Sequence, residues 1–318
     1  MEKRYDEKDL YAIESSQRLD ANESIFFAQE LESVKARTYD IVLAELSALG
    51  IIPVDSSAGA GAETITYHQY GEVGQAKIIA NYSTDLPRVD LVGKKFTSDV
   101  KSIGVSYGYS IQDIRAARMA GKPLEQRKAS AARRANDQQV NDIAFFGDEE
   151  HGLVGLLTHP NIPTYTLPAD GTGSSTKFKD KTADQVLRDL NGMVTKMLEL
   201  TKNVERPDTL LLGHTTHSDL TSRRVGDTQV TILAFFLANN PYIKNVQVVP
   251  EFVGVGTGET DICMIYKKSP DKLTLEIPQP FEQFPVQMEG LEYVVPCHSR
   301  NGGVIIYFPL SLMKAEDC

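Results

Sequence analysis

His214-Thr215-Thr216-His217 places two imidazoles three residues apart. On a helix that spacing sets both on one face, where they could offer nitrogen to zinc. The glutamate that would follow the first histidine in H-E-x-x-H is missing, and no third ligand stands nearby. The pair therefore reads as a polar helix start, with His217 or Ser218 as the cap. Gly254-Val-Gly-Thr-Gly258 has the look of a nucleotide loop. Such loops hold phosphate at a helix N-terminus, whereas here Glu259, Thr260 and a strand-like run follow, so a glycine-rich hairpin is expected. Cys297 adjoins His298, but neighbours on a strand point to opposite faces, so Cys297 reads as core. His151 and His159 flank a polar loop, and Asp148-Glu149-Glu150 reads as a solvated acidic turn. No acid, base and nucleophile assemble into a set, so no catalytic residue, cofactor or metal is expected.

Composition narrows the classes further. The chain has 318 residues, 41% apolar and 24% charged, enough apolar surface for a sizeable core. Its net charge of −10 gives it little to gain from neutralising phosphate. Three scattered cysteines, Cys263, Cys297 and Cys318, argue against a disulfide framework and for a reducing compartment. The first ten residues are charged throughout, unlike a signal peptide. The longest apolar run, Val230 to Ala238, falls well short of the about 20 residues a membrane helix needs. The expectation is a soluble protein made in a cytoplasm, with no membrane partner.

The elements that would position these side chains follow from periodicity. Residues 1–32 carry nine acidic against four basic residues and read as an extended, poorly buried arm. Helical spacing runs from Phe27 to Leu49, with Gly50 closing the helix and Pro53 forbidding its return. Ser56 to Gly61 is a flexible joint. From Glu63 to Tyr109 the pattern turns to strands at Thr64–Tyr67, Lys77–Tyr82 and Val100–Tyr109, punctuated by Gly71, Gly74, Pro87 and Gly93. This polar hairpin has too few apolar residues for its own core and needs something to lie on. Ser110 with Asp113 caps a helix, Gly121-Lys122-Pro123 interrupts it, and an alanine-rich helix runs from Leu124 to Phe146 until Gly147 ends it. Residues 168–181 look like a linker. Thr182 and Gln185 form a capping box for a helix whose apolar face is Val186, Leu190, Met193, Val194, Met197 and Leu200. Strands at Thr209–Leu212, Asn245–Val249 and Asp261–Tyr266, with helices near Thr216–Arg224 and Thr228–Asn239, complete an α/β unit. Strands resume at Leu273–Ile277, Leu291–Cys297 and Gly303–Phe308, so one domain is inserted into another.

Between Ile114 and Asn136 stand seven basic residues, Arg115, Arg118, Lys122, Arg127, Lys128, Arg133 and Arg134, against Glu125 alone. The stripe is either a solvated helix face or a charged interface, for which the acidic arm is a natural counterpart. No aromatic platform interleaves with these arginines, which speaks against nucleic acid.

Phe145-Phe-Gly-Asp-Glu-Glu-His-Gly-Leu-Val-Gly-Leu-Leu-Thr-His-Pro-Asn-Ile162 runs from helix end into loop. It resembles the F-x-G-…-G-h-x-G-L-h-x-H-P segment (h, hydrophobic) of tailed-phage major capsid proteins and encapsulin shells. The order of elements is similar along essentially the whole chain. The resemblance implies an α+β Hong Kong 97-type capsid fold. Residues 1–60 would be the N-arm, 61–109 the extended hairpin loop, 110–180 and 268–318 the peripheral domain with its long spine helix, and 181–267 the inserted axial α/β domain. It further implies a homo-oligomeric icosahedral shell of hexamers and pentamers around double-stranded DNA. Such a virion capsid would be made in the host bacterial cytoplasm. Scaffold, portal or decoration proteins are implied partners, and DNA would be touched only weakly and non-specifically. Some related capsids crosslink a lysine of the extended loop to a neighbour's asparagine. Lys94 and Lys95 hold that place, with Asn239, Asn240 and Asn301 as candidate acceptors. The assembly-interface candidates are therefore Lys94, Lys95, Arg115, Arg118, Arg127, Arg133 and Arg134. An encapsulin-like nanocompartment is the alternative, and a hydrolase or nucleotide-binding enzyme built on residues 181–267 is the remote one.

Overall fold

The computed structural model describes residues 46–78, 86–120, 124–316 and 318, with backbone alone at 117, 118, 120 and 124–126. The acidic arm, most of the helix expected from Phe27, the Gly121-Pro123 break and Lys122 lie outside the described residues.

Ala48–Ile51 (α1) is a single helical turn. Gly50 does not close it: the Ile52 N–H donates to the Ala48 carbonyl at 2.8 Å, one residue beyond the expected stop. Pro53, which has no N–H to continue the ladder, ends it. Val54–Asp55 (β1) follows. Thr64–Val73 (β2) and Asp90–Asp99 (β3) then pair antiparallel, from Thr64 opposite Asp99 to Val73 opposite Asp90. The hairpin is as expected, but its second strand is not Lys77–Tyr82. Lys77 and Ile78 are not in a strand, and residues 79–82 lie outside the described residues. Nor do Gly71 and Gly93 interrupt the strands: they sit inside the ladder, opposite Val92 and Tyr70.

Lys101–Ser110 (β4) leads into Ile111–Ala120 (α2) and Leu124–Phe146 (α3). Ser110 and Asp113 cap α2 reciprocally, at 3.0 and 3.2 Å. After Thr164–Tyr165 (β5), the glycine- and lysine-rich stretch is no free linker. Phe178 is buried, and Lys181 is wholly buried with its Nζ 2.5 Å from Asp189 Oδ2. Burial of a charge this deep demands such a partner.

The predicted capping box at Thr182 and Gln185 opens Ala183–Leu200 (α4). Next come Thr209–Leu212 (β6), His214–Ser222 (α5), Ile232–Asn239 (α6), Asn245–Val248 (β7) and Cys263–Tyr266 (β8). Both β7 and β8 pair with β6 on its two sides, so the glycine-rich turn between them does not make a hairpin. Each strand there finds a better neighbour in fully buried β6. The chain returns through Leu273–Glu276 (β9), Gln279–Gln283 (β10), Gln287–Glu289 (β11), Glu292–Asn301 (β12), Val304–Ile306 (β13) and Leu312–Ala315 (β14).

Four sheets result: β1-β9-β13; β4 along one side of β12 with β10 and β11 on the other; β5-β14-β8-β6-β7; and the β2-β3 ribbon. The five-stranded sheet divides two cores by its two-residue period. Leu211, Met264, Tyr266 and Leu312 face one core with Phe145, Leu156 and Phe252. Leu210, Leu212, Ile265 and Met313 face the other, against Val186, Leu190, Met193 and Met197 of α4. Strands β5 and β14, from outside residues 181–267, thus complete the sheet of the α/β unit.

Candidate functional site

The ribbon β2-β3 is anchored only at its foot among the described residues. Tyr67 stacks on Phe96 with ring centres 5.1 Å apart and meets Tyr307 edge-on at 4.9 Å. Ser98 Oγ donates to the Gly302 carbonyl at 3.1 Å. Beyond Tyr67 the apolar side chains stand in solvent: Tyr70 is 69% exposed, Val73 59% and Leu91 63%. Gly93 leaves room for the Tyr70 ring, since a Cβ there would lie 3.0 Å from it. Lys94 and Lys95 are exposed on β3 opposite Gln69 and His68. As consecutive strand residues they point to opposite faces of the ribbon. Of the candidate acceptors, Asn239 and Asn240 are not buried. Asn301 is wholly buried, accepting from the Gly303 N–H, and burial takes it out of a neighbour's reach.

The basic residues divide between two helices and several tasks. Arg115 is exposed on α2, and the Arg118 side chain lies outside the described residues. On α3, Lys128 Nζ donates to the Gly108 carbonyl at 2.5 Å, so this charge is used within the chain to hold α3 on β4. Arg127 and Arg133 are exposed and Arg134 is half-buried. Arg133 pairs with Asp137 at 3.9 Å, one turn on. The opposite side of α3 packs inward through Ala132, Asn136 and Val140, and Ser299 Oγ donates to Asn136 Oδ1 at 2.5 Å.

The Phe145–Ile162 segment finishes the spine helix. The last carbonyls of a helix lack intrahelical donors. Here the Leu156 N–H donates to the Ala144 carbonyl at 2.8 Å, the Leu157 N–H to Phe145 at 2.9 Å and Thr158 Oγ1 to Phe146 at 3.0 Å. Gly147 takes a positive φ of 74°, and Gly155 lies so close to the helix end that a Cβ would sit 2.5 Å from the Phe145 carbonyl oxygen. His151 Nδ1 stands 2.8 Å from Asp148 Oδ2, and that hydrogen bond is the main reason the Asp148 carboxyl is held below its usual range. Burial lowers the His159 pKa.

The residues weighed for catalysis are placed as follows. His214 opens α5 behind Gly213, so neither His217 nor Ser218 caps it. In its first turn Thr216 Oγ1 donates to Asp261 Oδ2 at 2.8 Å. The Gly254–Gly258 turn closes on itself through the Gly256 N–H and the Thr260 carbonyl, 2.8 Å apart. Cys297 is buried against Ala132 and Val295, and burial pushes its thiol up. Among the described residues no three His, Cys, Asp or Glu side chains gather as a metal site, and no helix is long and apolar enough to cross a membrane. Among the buried polar groups that sequence reasoning missed are two pairs, Lys181 with Asp189 and Glu276 with Thr274. Neither stands in a motif, and pairing across 8 residues or along a strand carries no compositional signal.

Known proteins share this arrangement. The chain is 30% identical over 113 residues to the type 1 encapsulin shell protein EncA of Myxococcus xanthus, a stretch covering 34% of this chain and 37% of that one. The match therefore spans little more than a third of that relative. The capsid of Myoviridae phage XM1 has the same fold, with a TM-score of 0.77 and 16% identity over 92% of this chain and 98% of that one. So does the capsid of the native GTA particle, with a TM-score of 0.63 and 10% identity over 90% and 94%. The fold is the expected α+β Hong Kong 97-type. The family model described as major capsid protein matches residues 74–317, and the chain belongs to the major capsid protein family.

Proposed function

We propose that this chain is the building unit of a tailed-phage or prophage head, an icosahedral shell of hexamers and pentamers around double-stranded DNA. The observation that carries this reading is the extent of the likeness to the XM1 capsid, 92% of this chain and 98% of that one. The exposed outer half of the β2-β3 ribbon supports it, because apolar side chains without cover among the described residues would gain burial on another subunit. On this reading residues 61–109 are the extended loop, 110–180 and 268–318 the peripheral domain, 181–267 the axial domain and 1–60 the arm. Lys94, Lys95, Arg115, Arg118, Arg127, Arg133 and Arg134 serve contacts between subunits. No reaction is assigned to it. The subunit is made in the host bacterial cytoplasm and ends in the virion. The net charge of −10 suits a wall that must release the polyanion it holds. Scaffold and portal proteins are the further partners this reading calls for.

The EncA similarity favours a second reading, a shell of the same fold that encloses protein cargo. Electron microscopy of the purified full chain after size exclusion, at low and high salt, tests both. Closed particles or capsomer rings are expected, and nuclease-protected DNA inside particles isolated from the native source selects the phage head. Protein cargo without DNA selects the compartment. A monomer at every salt, also with its neighbouring gene products present, overturns both.

A further inference from the structure

Two of the three cysteines meet. Cys263 opens β8 in the middle of the five-stranded sheet and is wholly buried, while Cys318 is 9% exposed. Their sulfurs lie 2.9 Å apart, within an ångström of the roughly 2.05 Å of a disulfide bond. The approach is fixed by the backbone and not by the thiols alone. Strand β14 pairs with β8 in a register that sets Ala315 opposite Cys263. The Cys318 N–H then donates to the Asp261 carbonyl at 3.0 Å. The Asp261 carboxylate is itself held by Thr216 Oγ1 and the Gly254 N–H, at 2.8 and 3.1 Å. Met193 Sδ, 3.7 Å from Cys263, closes the inner side. On the outer side Cys318 lines a cavity of about 240 Å³ with Lys177, Lys179, Thr215 and Glu259.

We propose that Cys263 and Cys318 are a modification site, a thiol pair that closes to a disulfide when it meets a low-molecular-weight disulfide oxidant. The cavity decides the order of events. Cys318, deprotonated, attacks one sulfur of the oxidant and releases half of it as a thiolate. Cys263 then loses its proton and attacks Cys318 Sγ, and the second half leaves. The protein loses two protons and two electrons, which the oxidant takes up as two thiols. Burial, and then the neighbouring Cys263, push the Cys318 thiol well above its ordinary value, so exchange is slow at neutral pH and faster in alkali. The closed bond ties β8 to the end of the returning chain across 55 residues that hold β9 to β14. It thereby fastens the inserted unit to the strands around it. Neither the geometry nor its test depends on what the shell encloses.

The experiment treats the native full chain with oxidised glutathione, and in parallel with the smaller oxidant diamide, in mildly alkaline buffer. Thiols are then blocked and peptides mapped without reduction. The expected product joins the Cys263 and Cys318 peptides, lighter by two hydrogens, with Cys297 free. Dithiothreitol reverses it, and the oxidised protein melts several degrees higher than the reduced one. Cys318→Ala abolishes the link and Cys297→Ala retains it. Three free thiols after both oxidants, a glutathione adduct on Cys318 that never resolves, or pairing with Cys297 would each overturn the proposal.

Discussion

Glu276 is 2% exposed on β9, with Thr274 Oγ1 donating to its Oε1 at 2.6 Å and the Tyr307 hydroxyl 3.4 Å away. Burial is the larger influence on it and raises its pKa above the ordinary glutamate range. The charge of Asp55 adds to the rise, and the two hydrogen bonds oppose it. The folded chain therefore keeps this proton where the unfolded chain has lost it. That contribution to stability is full below the ordinary glutamate range and drains away as pH rises through the folded value. Glu276→Gln keeps an acceptor for Thr274 and cannot ionise. We expect its melting temperature to fall less than that of the parent across this window. Thermal melts over a pH series at one protein concentration read this directly, because subunit association also moves the midpoint. Parallel curves for the two proteins would remove Glu276 as the titrating group. The residue was invisible to sequence reading, as was the burial of Asn301. Both sit in strand-rich return segments whose pattern tells which faces alternate, but not which face carries a second layer. Cys297 was legible as core because strand alternation alone separates it from His298.

At the scale of elements, the spine helix and its stop are the part best read in advance. Alanine-rich propensity fixes α3, and Gly147 marks its end with a positive φ. The reason for Gly155 emerges only from the turn that folds back over the helix end, so its spacing in the motif was visible before its cause. Gly155→Ala drives a methyl into the Phe145 carbonyl, 2.5 Å away, where backbone must shift. Overpacking of this kind costs about 3 kcal/mol. Gly152→Ala is the matched control: its φ is +72° but a Cβ there meets nothing, so the strain alone costs about 1 kcal/mol. Denaturant unfolding of the two variants should keep that order, and equal losses would mean that the turn yields to the added methyl. The same logic explains the elements that were misread. Gly71 and Gly93 resemble turn residues by type, yet cross-strand pairing absorbs them. The glycine-rich turn after β7 resembles a hairpin, yet β6 offers each flanking strand a fully buried neighbour. In both places long-range pairing overrode a local signal.

At the scale of the whole molecule, the outer half of the β2-β3 ribbon has no cover among the described residues. Every described residue from Tyr70 to Val92 is exposed. A two-stranded ribbon is marginal in water by itself, so its length has to be maintained by a surface elsewhere. Sequence reading reached this conclusion from composition, because a polar segment of this length has no core of its own. It could not find the foot, where Tyr67, Phe96 and Tyr307 come together from distant parts of the chain. The foot permits a clean separation of folding from assembly. Removing residues 71–92 and joining Tyr70 to Gly93 through Asn-Gly supplies the two-residue turn that strand twist favours and leaves the aromatic contacts intact. The shortened subunit should keep its circular dichroism and melt within a few degrees of the parent subunit, since almost no core is lost. Light scattering and electron microscopy should find it as free subunits or open capsomers under conditions where the parent closes into particles. Closed shells of unchanged diameter from the shortened chain would show that the ribbon is dispensable, and the contacts that hold the shell would then have to be sought on α3 and its exposed Arg127 and Arg133.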